Sequence, residues 1–164
     1  MMRITEESLK IIDYQTSLSH YFYEINKEWV STMFVMEAID EKVLKNPDEY
    51  IIAHGGRIWF VEHPSHGIVG TCALKNHGKN NFELTKMGVF KKARGLKVGE
   101  SLLKHVIKES ISHMDISNLF LLTNKDCQAA IHLYEKNGFH HSQEVMNKYG
   151  SLYSRCNVAM IYRG

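Results

Sequence analysis

Between Lys91 and Lys97 four of seven residues are cationic (Lys91, Lys92, Arg94 and Lys97), with Gly95 inside the run and Gly99 just beyond it. Upstream, Glu83-Leu-Thr-Lys-Met-Gly-Val89 reads as a strand. Downstream, apolar residues at 98, 102, 103, 106, 107, 111 and 114 form one stripe of a helix. The first turn of a helix carries backbone N–H groups without intrahelical partners, and the macrodipole adds about half a positive charge. Reached through a glycine-containing cationic loop, such a terminus suits an anion, phosphate above all. Lysines that merely solvate a turn would give the same composition. GxxxxGK[ST] and GxGxxG are both absent, which argues against a nucleoside triphosphatase or a dinucleotide-binding unit.

Other reactive side chains are scattered. Strict alternation puts Glu83, Thr85, Met87 and Val89 on one face of their strand, provided no bulge intervenes. Glu83 is there either a proton acceptor or an ordinary surface acid. Tyr134 lies at i+4 from Ala130 on the apolar face of a second helix, Asp126 to Asn137, where a core aromatic would also sit. The His63/His66 and His140/His141 pairs match no metal-ligand spacing, so no metal is expected. Cys72, Cys127 and Cys156 are odd in number and lack a CxxC spacing, which points to a reduced, cytoplasmic protein. Tyr21, Phe22, Tyr23, Trp29 and Phe34 read mainly as core. Glu37, Asp40 and Glu41 either attract a cationic ligand or solvate a helix face.

The elements that must hold these groups fit one domain spanning residues 1–164. The chain has 164 residues and 19.0 kDa, with 44% hydrophobic and 23% charged residues, the composition of a soluble globular domain. A net charge of +2 is no nucleic-acid signature. No stretch approaches the ~18 apolar residues of a membrane span, and MMRITEESLKIIDYQ lacks the pattern of a leader peptide. Expected elements are a strand at 9–14, helical runs at 16–30 and 32–45, and a hairpin turn at Gly55-Gly56. Strands at 57–62, 68–74 and 82–90 follow, the last two separated by a turn over 75–81. A helix at 98–114, a strand at 119–123 and the helix at 126–137 come next, the latter closed by Gly138. Two strands near 139–146 and 152–162 end the chain. Hairpins followed by strand–helix–strand–helix–strand give an α+β, or mixed α/β, sheet with helices on both faces. The apolar run Tyr153 to Tyr162 is expected at a sheet edge, where it would pair with a second copy in a homodimer.

Arg94-Gly95-Leu96-Lys97-Val98-Gly99 resembles the R/Q-x-x-G-x-G/A signature of the GCN5-related N-acetyltransferase (GNAT) superfamily, with Lys97 where the first signature glycine is usual. ELTKMGV is similar to that family's fourth strand and LFLLTN to its fifth. Ala129 to Phe139 is similar to its helix ending in Tyr-x-x-x-Gly-Phe. The resemblance implies a single domain with a mostly antiparallel sheet of about seven strands, splayed between strands four and five. It implies acetyl-CoA as co-substrate and a primary amine, of a small molecule or peptide, as acceptor. The amides of Arg94, Gly95, Leu96, Lys97, Val98, Gly99 and Glu100 would then hold the pyrophosphate. The main chain at Met87 and Val89 would pair with the pantetheine arm, with Asn124 touching it. Tyr134 would protonate the leaving sulfur, and Glu83, six residues before Val89, would be the base. The first helices would wall the acceptor pocket. A non-catalytic acyl-CoA sensor with the same fold is the alternative; nucleic-acid or membrane partners are not expected.

Overall fold

The computed structural model describes residues 8–164; the leader-peptide reading rests largely on residues 1–7, outside them. Seven strands form one sheet: β1 (Lys10–Asp13), β2 (Arg57–His63), β3 (Gly67–Asn76), β4 (Asn81–Val89), β5 (Asn118–Thr123), β6 (Phe139–His141) and β7 (Val158–Tyr162). Their spatial order is β1-β2-β3-β4-β5-β7-β6. Every neighbouring pair is antiparallel except β4 with β5.

Helices cover both faces because the central strands are apolar on both. Along β2, Ile58 and Phe60 pack against Phe22 and Ile25 of α1 (Ser19–Met33) and Val43 and Leu44 of α2 (Ala38–Lys45). The intervening Trp59 and Val61 face the cluster of Leu102, Leu103 and Val106 from α4 (Val98–Ser112). Period-two alternation thus serves two cores at once, and the strand reads as a continuous apolar run. A short α3 (Pro47–Tyr50) follows α2, with Pro47 in its first turn, where a missing N–H does no harm.

Several boundaries differ from expectation. The second helical run starts at Ala38 rather than residue 32, because the chain turns extended at Phe34 and leaves Val35 83% exposed. The Glu37 amide donates to Asp40 Oδ2 at 3.0 Å and starts α2 there. Gly55-Gly56 joins a helical turn to β2 rather than two strands. Gly55 adopts φ +84°, and a Cβ on Gly56 would meet the carbonyl oxygens of Leu74 and Ile51. The strand expected at 139–146 is only β6, three residues long. The Ser142 hydroxyl then accepts from the Val145 amide and opens α6 (Gln143–Tyr149), whose Val145, Met146 and Tyr149 pack on Phe120 and Ala159. The final strand begins at Val158 and is no edge: β7 lies between β5 and β6. Its backbone is paired on both sides, so it cannot add a second copy as expected. The second-half helix is α5 (Gln128–Lys136), which starts two residues later than expected, and Gly138 closes it at φ +102°.

Candidate active site

β4 and β5 pair only from Asn81–Leu84 against Asn118–Leu121. Beyond Leu84 they diverge, and a cavity of about 470 Å³ opens in the gap. Phe90 donates its amide to Val69 of β3 at 2.8 Å. Since successive residues of a strand point their N–H groups to opposite sides, the Val89 amide is turned into the gap. The cavity wall therefore includes a strand edge able to pair with an extended ligand.

A bulge in β4 decides what faces what. Thr71 pairs with Gly88 and Ala73 with Thr85, so Cys72 of β3 stands opposite both Lys86 and Met87. Lys86 adopts φ +52°, in the left-handed region. The extra residue reverses the alternation. Lys86 turns toward α2, where its Nζ lies 2.7 Å from Asp40 Oδ1. Met87 and Val89 turn to the α4 and α5 side and pack with that core. Glu83 is thereby separated from Met87 and Val89, with which unbroken alternation had grouped it.

The expected residues divide accordingly. Met87, Val89, Arg94, Gly99, Asn124 and Tyr134 all line the cavity. Gly95, Leu96, Lys97, Val98 and Glu100 complete the loop and first turn beside it. Gly95 has φ +82° and Lys97, the residue before α4, has φ +62°. Lys97 thus holds a left-handed conformation, which favours glycine, at a strain of about 1–2 kcal/mol. Removing that strain outweighs glycine's extra chain entropy only modestly. Lys97→Gly is accordingly expected to be neutral to stabilising, by up to about 1 kcal/mol, read as a raised urea midpoint. The Glu100 carboxylate bridges Lys104 at 3.2 Å and Lys136 at 3.1 Å, tying α4 to α5.

Tyr134 is buried and its hydroxyl reaches Met87 Sδ at 3.9 Å. Burial, with Cys72 and Cys127 close by, pushes its pKa up, so the phenol keeps its proton. Asn124 Nδ2 donates to the Arg155 carbonyl at 2.7 Å, and its Oδ1 accepts the Asp126 amide at 2.9 Å. Its side chain shapes the loop from β5 to α5. Glu83 is 1% exposed and is not part of the cavity wall. Its two oxygens contact His77 Nε2 at 2.9 Å and the Tyr153 hydroxyl at 3.3 Å.

The other end of the cavity is walled by the first helix, as the resemblance implies, together with groups that the sequence reading missed. Trp29, Met33 and Phe34 of the α1 end line it with Lys86, Tyr153, Arg155 and Cys156. Behind them, the Arg155 guanidinium reaches Glu37 Oε2 and Asp40 Oδ2, both at 2.7 Å, and Asp40 Oδ1 at 3.0 Å. Ser154 holds Glu37 Oε1 through its amide and hydroxyl. Burial alone would raise the Asp40 pKa, but the Arg155 hydrogen bond and the Lys86 charge bring it down to about 2. The acids expected to greet a cation or solvate a helix are thus divided: Glu37 and Asp40 are bound to the protein's own cations, and Glu41 bridges Lys45. Ser154 and Arg155 lie more than 100 residues from Glu37 and Asp40, and Lys86 lies 46 residues from Asp40, beyond any local pattern.

A family model described as an acetyltransferase (GNAT) domain matches residues 54–141, from the turn before β2 to the end of β6. The chain belongs to the GNAT acetyltransferase family. A GNAT-family acetyltransferase from Staphylococcus aureus Mu50 superposes with a TM-score of 0.82 at 25% identity, covering 94% of this chain and 98% of that one. Spermidine N-acetyltransferase from Vibrio cholerae, solved with CoA and spermine, gives a TM-score of 0.69 at 14% identity over 96% of each chain. N-acetylglutamate synthase from Neisseria gonorrhoeae, with coenzyme A and N-acetyl-glutamate, gives 0.70 at 18% identity over 94% of this chain and 35% of that one. The last two are likenesses of fold. No curated protein matches by sequence. This GNAT protein is an acetyltransferase built on the family's mixed α/β sheet, and among its described residues no helix is long and apolar enough to cross a membrane.

Proposed function

We propose that the protein moves an acetyl group from acetyl-CoA directly to a primary amine of a small molecule or peptide. One observation carries this reading: the gap between β4 and β5, floored by the Val89 amide and flanked by the glycine-containing cationic loop at the start of α4. A thioester arm laid along the free edge of β4 would pair with the main chain at Met87 and Val89. The amides from Arg94 to Glu100, with the Arg94 and Lys97 charges, would hold the pyrophosphate, and Asn124 would flank the arm. A preorganised Val89 N–H facing the developing oxyanion contributes about 3 kcal/mol. Tyr134, kept protonated by burial, gives its proton to the departing sulfur. A thiol pKa near 8.5 means that this help is modest. Glu83 is the base that takes the proton of the ammonium. The acceptor enters between Trp29, Phe34 and the 153–156 segment. We read residues 1–164 as one catalytic domain working in the cytoplasm, in keeping with free thiols at Cys72, Cys127 and Cys156.

The test is calorimetric titration with acetyl-CoA, followed by mass detection of acetylated product from a panel of spermidine, spermine, L-glutamate and a lysine peptide. One-to-one binding with product from at least one amine is the expected result. Binding without any product would identify an acyl-CoA sensor instead, and absence of binding would overturn both readings.

A further inference from the structure

The buried base has no direct access to the cavity. Glu83 is 1% exposed and lies outside the cavity wall, whereas Tyr153 lines that wall and its hydroxyl reaches Glu83 Oε2 at 3.3 Å. The geometry points to Tyr153 as the proton relay of the acceptor site, carrying the proton of the incoming ammonium from the cavity to Glu83. This rests on the acetyl-transfer reading above and assigns a residue that neither the signature nor its spacing singles out.

The surroundings of Tyr153 suit a relay. Two cations lie over its ring, with Lys86 Nζ 4.7 Å and the Arg155 guanidinium carbon 5.3 Å from the centroid. Both cations are fixed by Asp40, so the hydroxyl is held by rigid neighbours rather than by a free loop. The far oxygen of Glu83 is occupied by His77 Nε2 at 2.9 Å, which leaves Oε2 for the tyrosine. His77 is in turn packed against Phe120 and Tyr149. Burial pushes the Tyr153 pKa up, with the Glu83 charge adding to it. A free tyrosinate is therefore not the working species, and the transfer is a paired hop. The N–H bond of the ammonium breaks as an O–H bond forms on Tyr153. The tyrosine's original O–H bond breaks as one forms on Glu83 Oε2. The amine then attacks the thioester carbon and the C–S bond breaks with its electron pair leaving on sulfur; sulfur takes the Tyr134 proton, and the second N–H proton of the former amine replaces it on Tyr134. Overall an ammonium and a thioester give an amide, a thiol and one proton, and Glu83 is where that proton rests before solvent removes it.

Tyr153→Phe keeps the ring against its two cations and deletes only the hydroxyl. With the panel amine that turns over fastest, the variant is expected to bind acetyl-CoA as wild type does and to lose about 100-fold in kcat/KM for the amine at pH 7. The loss should shrink as pH rises toward the ammonium pKa near 10.4, because solvent then supplies the free amine. The charged and titratable groups facing the relay are Glu83, Lys86, His77, Arg155, Asp40 and Cys156, all unchanged in the variant. Glu83→Gln should show the same pH-dependent loss, and the double variant should be no worse than the poorer single, as expected for two groups acting as a unit. A pH-independent loss would mean a structural role and overturn the relay, as would activity within twofold of wild type. If wild-type protein yields no product from any amine, the acetyl-transfer reading itself fails and takes the relay with it; product from wild type with an unimpaired Tyr153→Phe sinks the relay alone.

Discussion

Replacing Asp40 with alanine is expected to destabilise the protein by about 3–5 kcal/mol at pH 7, the range found when one partner of a buried ion pair is removed. Asp40 is 1% exposed and accepts four hydrogen bonds: one from Lys86, two from Arg155 and one from the Glu37 amide. Arg155 keeps Glu37 as a partner when the carboxylate is gone, but Lys86, 8% exposed, loses its ion-pair partner. Lys86 also holds a left-handed backbone at the β4 bulge, which favours glycine. The ion pair is what anchors that conformation, so its loss frees the bulge as well as the charge. Urea unfolding of wild type and Asp40→Ala at several pH values is the measurement. The folded-state pKa of Asp40 lies near 2, below the usual ~3.9 of an aspartate. Its contribution is therefore complete above about pH 5 and is lost as pH falls from about 4 toward 2. The gap between the two proteins should be constant from pH 5 to 8 and close in acid. A gap below about 1 kcal/mol at pH 7 would show that the cluster is only surface-like in strength.

That cluster also marks where a linear reading of the chain stops. The strands β2 to β4 and the helix α4 were legible from local pattern: short apolar runs bounded by turn residues in the strands, a 98-102-103-106-107 stripe in the helix. The loop from Arg94 to Gly99 was legible as a motif, and so were Asn124 and Tyr134 through the segments around them. The bulge was not, because lysine rather than glycine occupies its left-handed position at residue 86. Glu83 was picked out as an acid, but its place on the opposite face from Met87 and Val89 depends on that one extra residue. Residues 142–146 fall within the strand expected at 139–146, although Ser142, Val145, Met146 and Tyr149 carry a cap and a helical stripe; two preceding strand residues, His140 and His141, masked the change of period. The order of β7 and β6 is a tertiary outcome. An apolar run such as Val158–Tyr162 suits an interior strand as well as an edge. Asp40 sits in a helical run that its spacing shows, but Arg155 lies 115 residues further along the chain with Tyr153 beside it, and only folding brings them together.

The second large effect concerns the loop that opens α4. In the variant Arg94→Glu with Lys97→Glu, acetyl-CoA affinity is expected to fall by at least 100-fold, with thermal stability little changed. Arg94 lines the cavity, and Arg94 and Lys97 are exposed, so neither supports the core. Each hydrogen bond to a charged group is worth about 1.5–3 kcal/mol, and reversal adds repulsion against a doubly charged pyrophosphate. Two such losses exceed the 2.8 kcal/mol that a 100-fold change represents, taking about 1.4 kcal/mol per decade. The backbone amides of the first turn of α4 remain in place, which is why binding should be weakened through charge rather than by loss of the helix start. Salt supplies the control. Exposed charges are screened over a Debye length of about 10 Å at 0.1 M, so wild-type affinity should fall with added salt while the variant's rises or stays flat. Calorimetry at two ionic strengths measures both slopes. Equal affinities for the two proteins would mean that the cations only solvate the turn, leaving the strand edge at Val89 and the amides of α4 as the whole of the cofactor site.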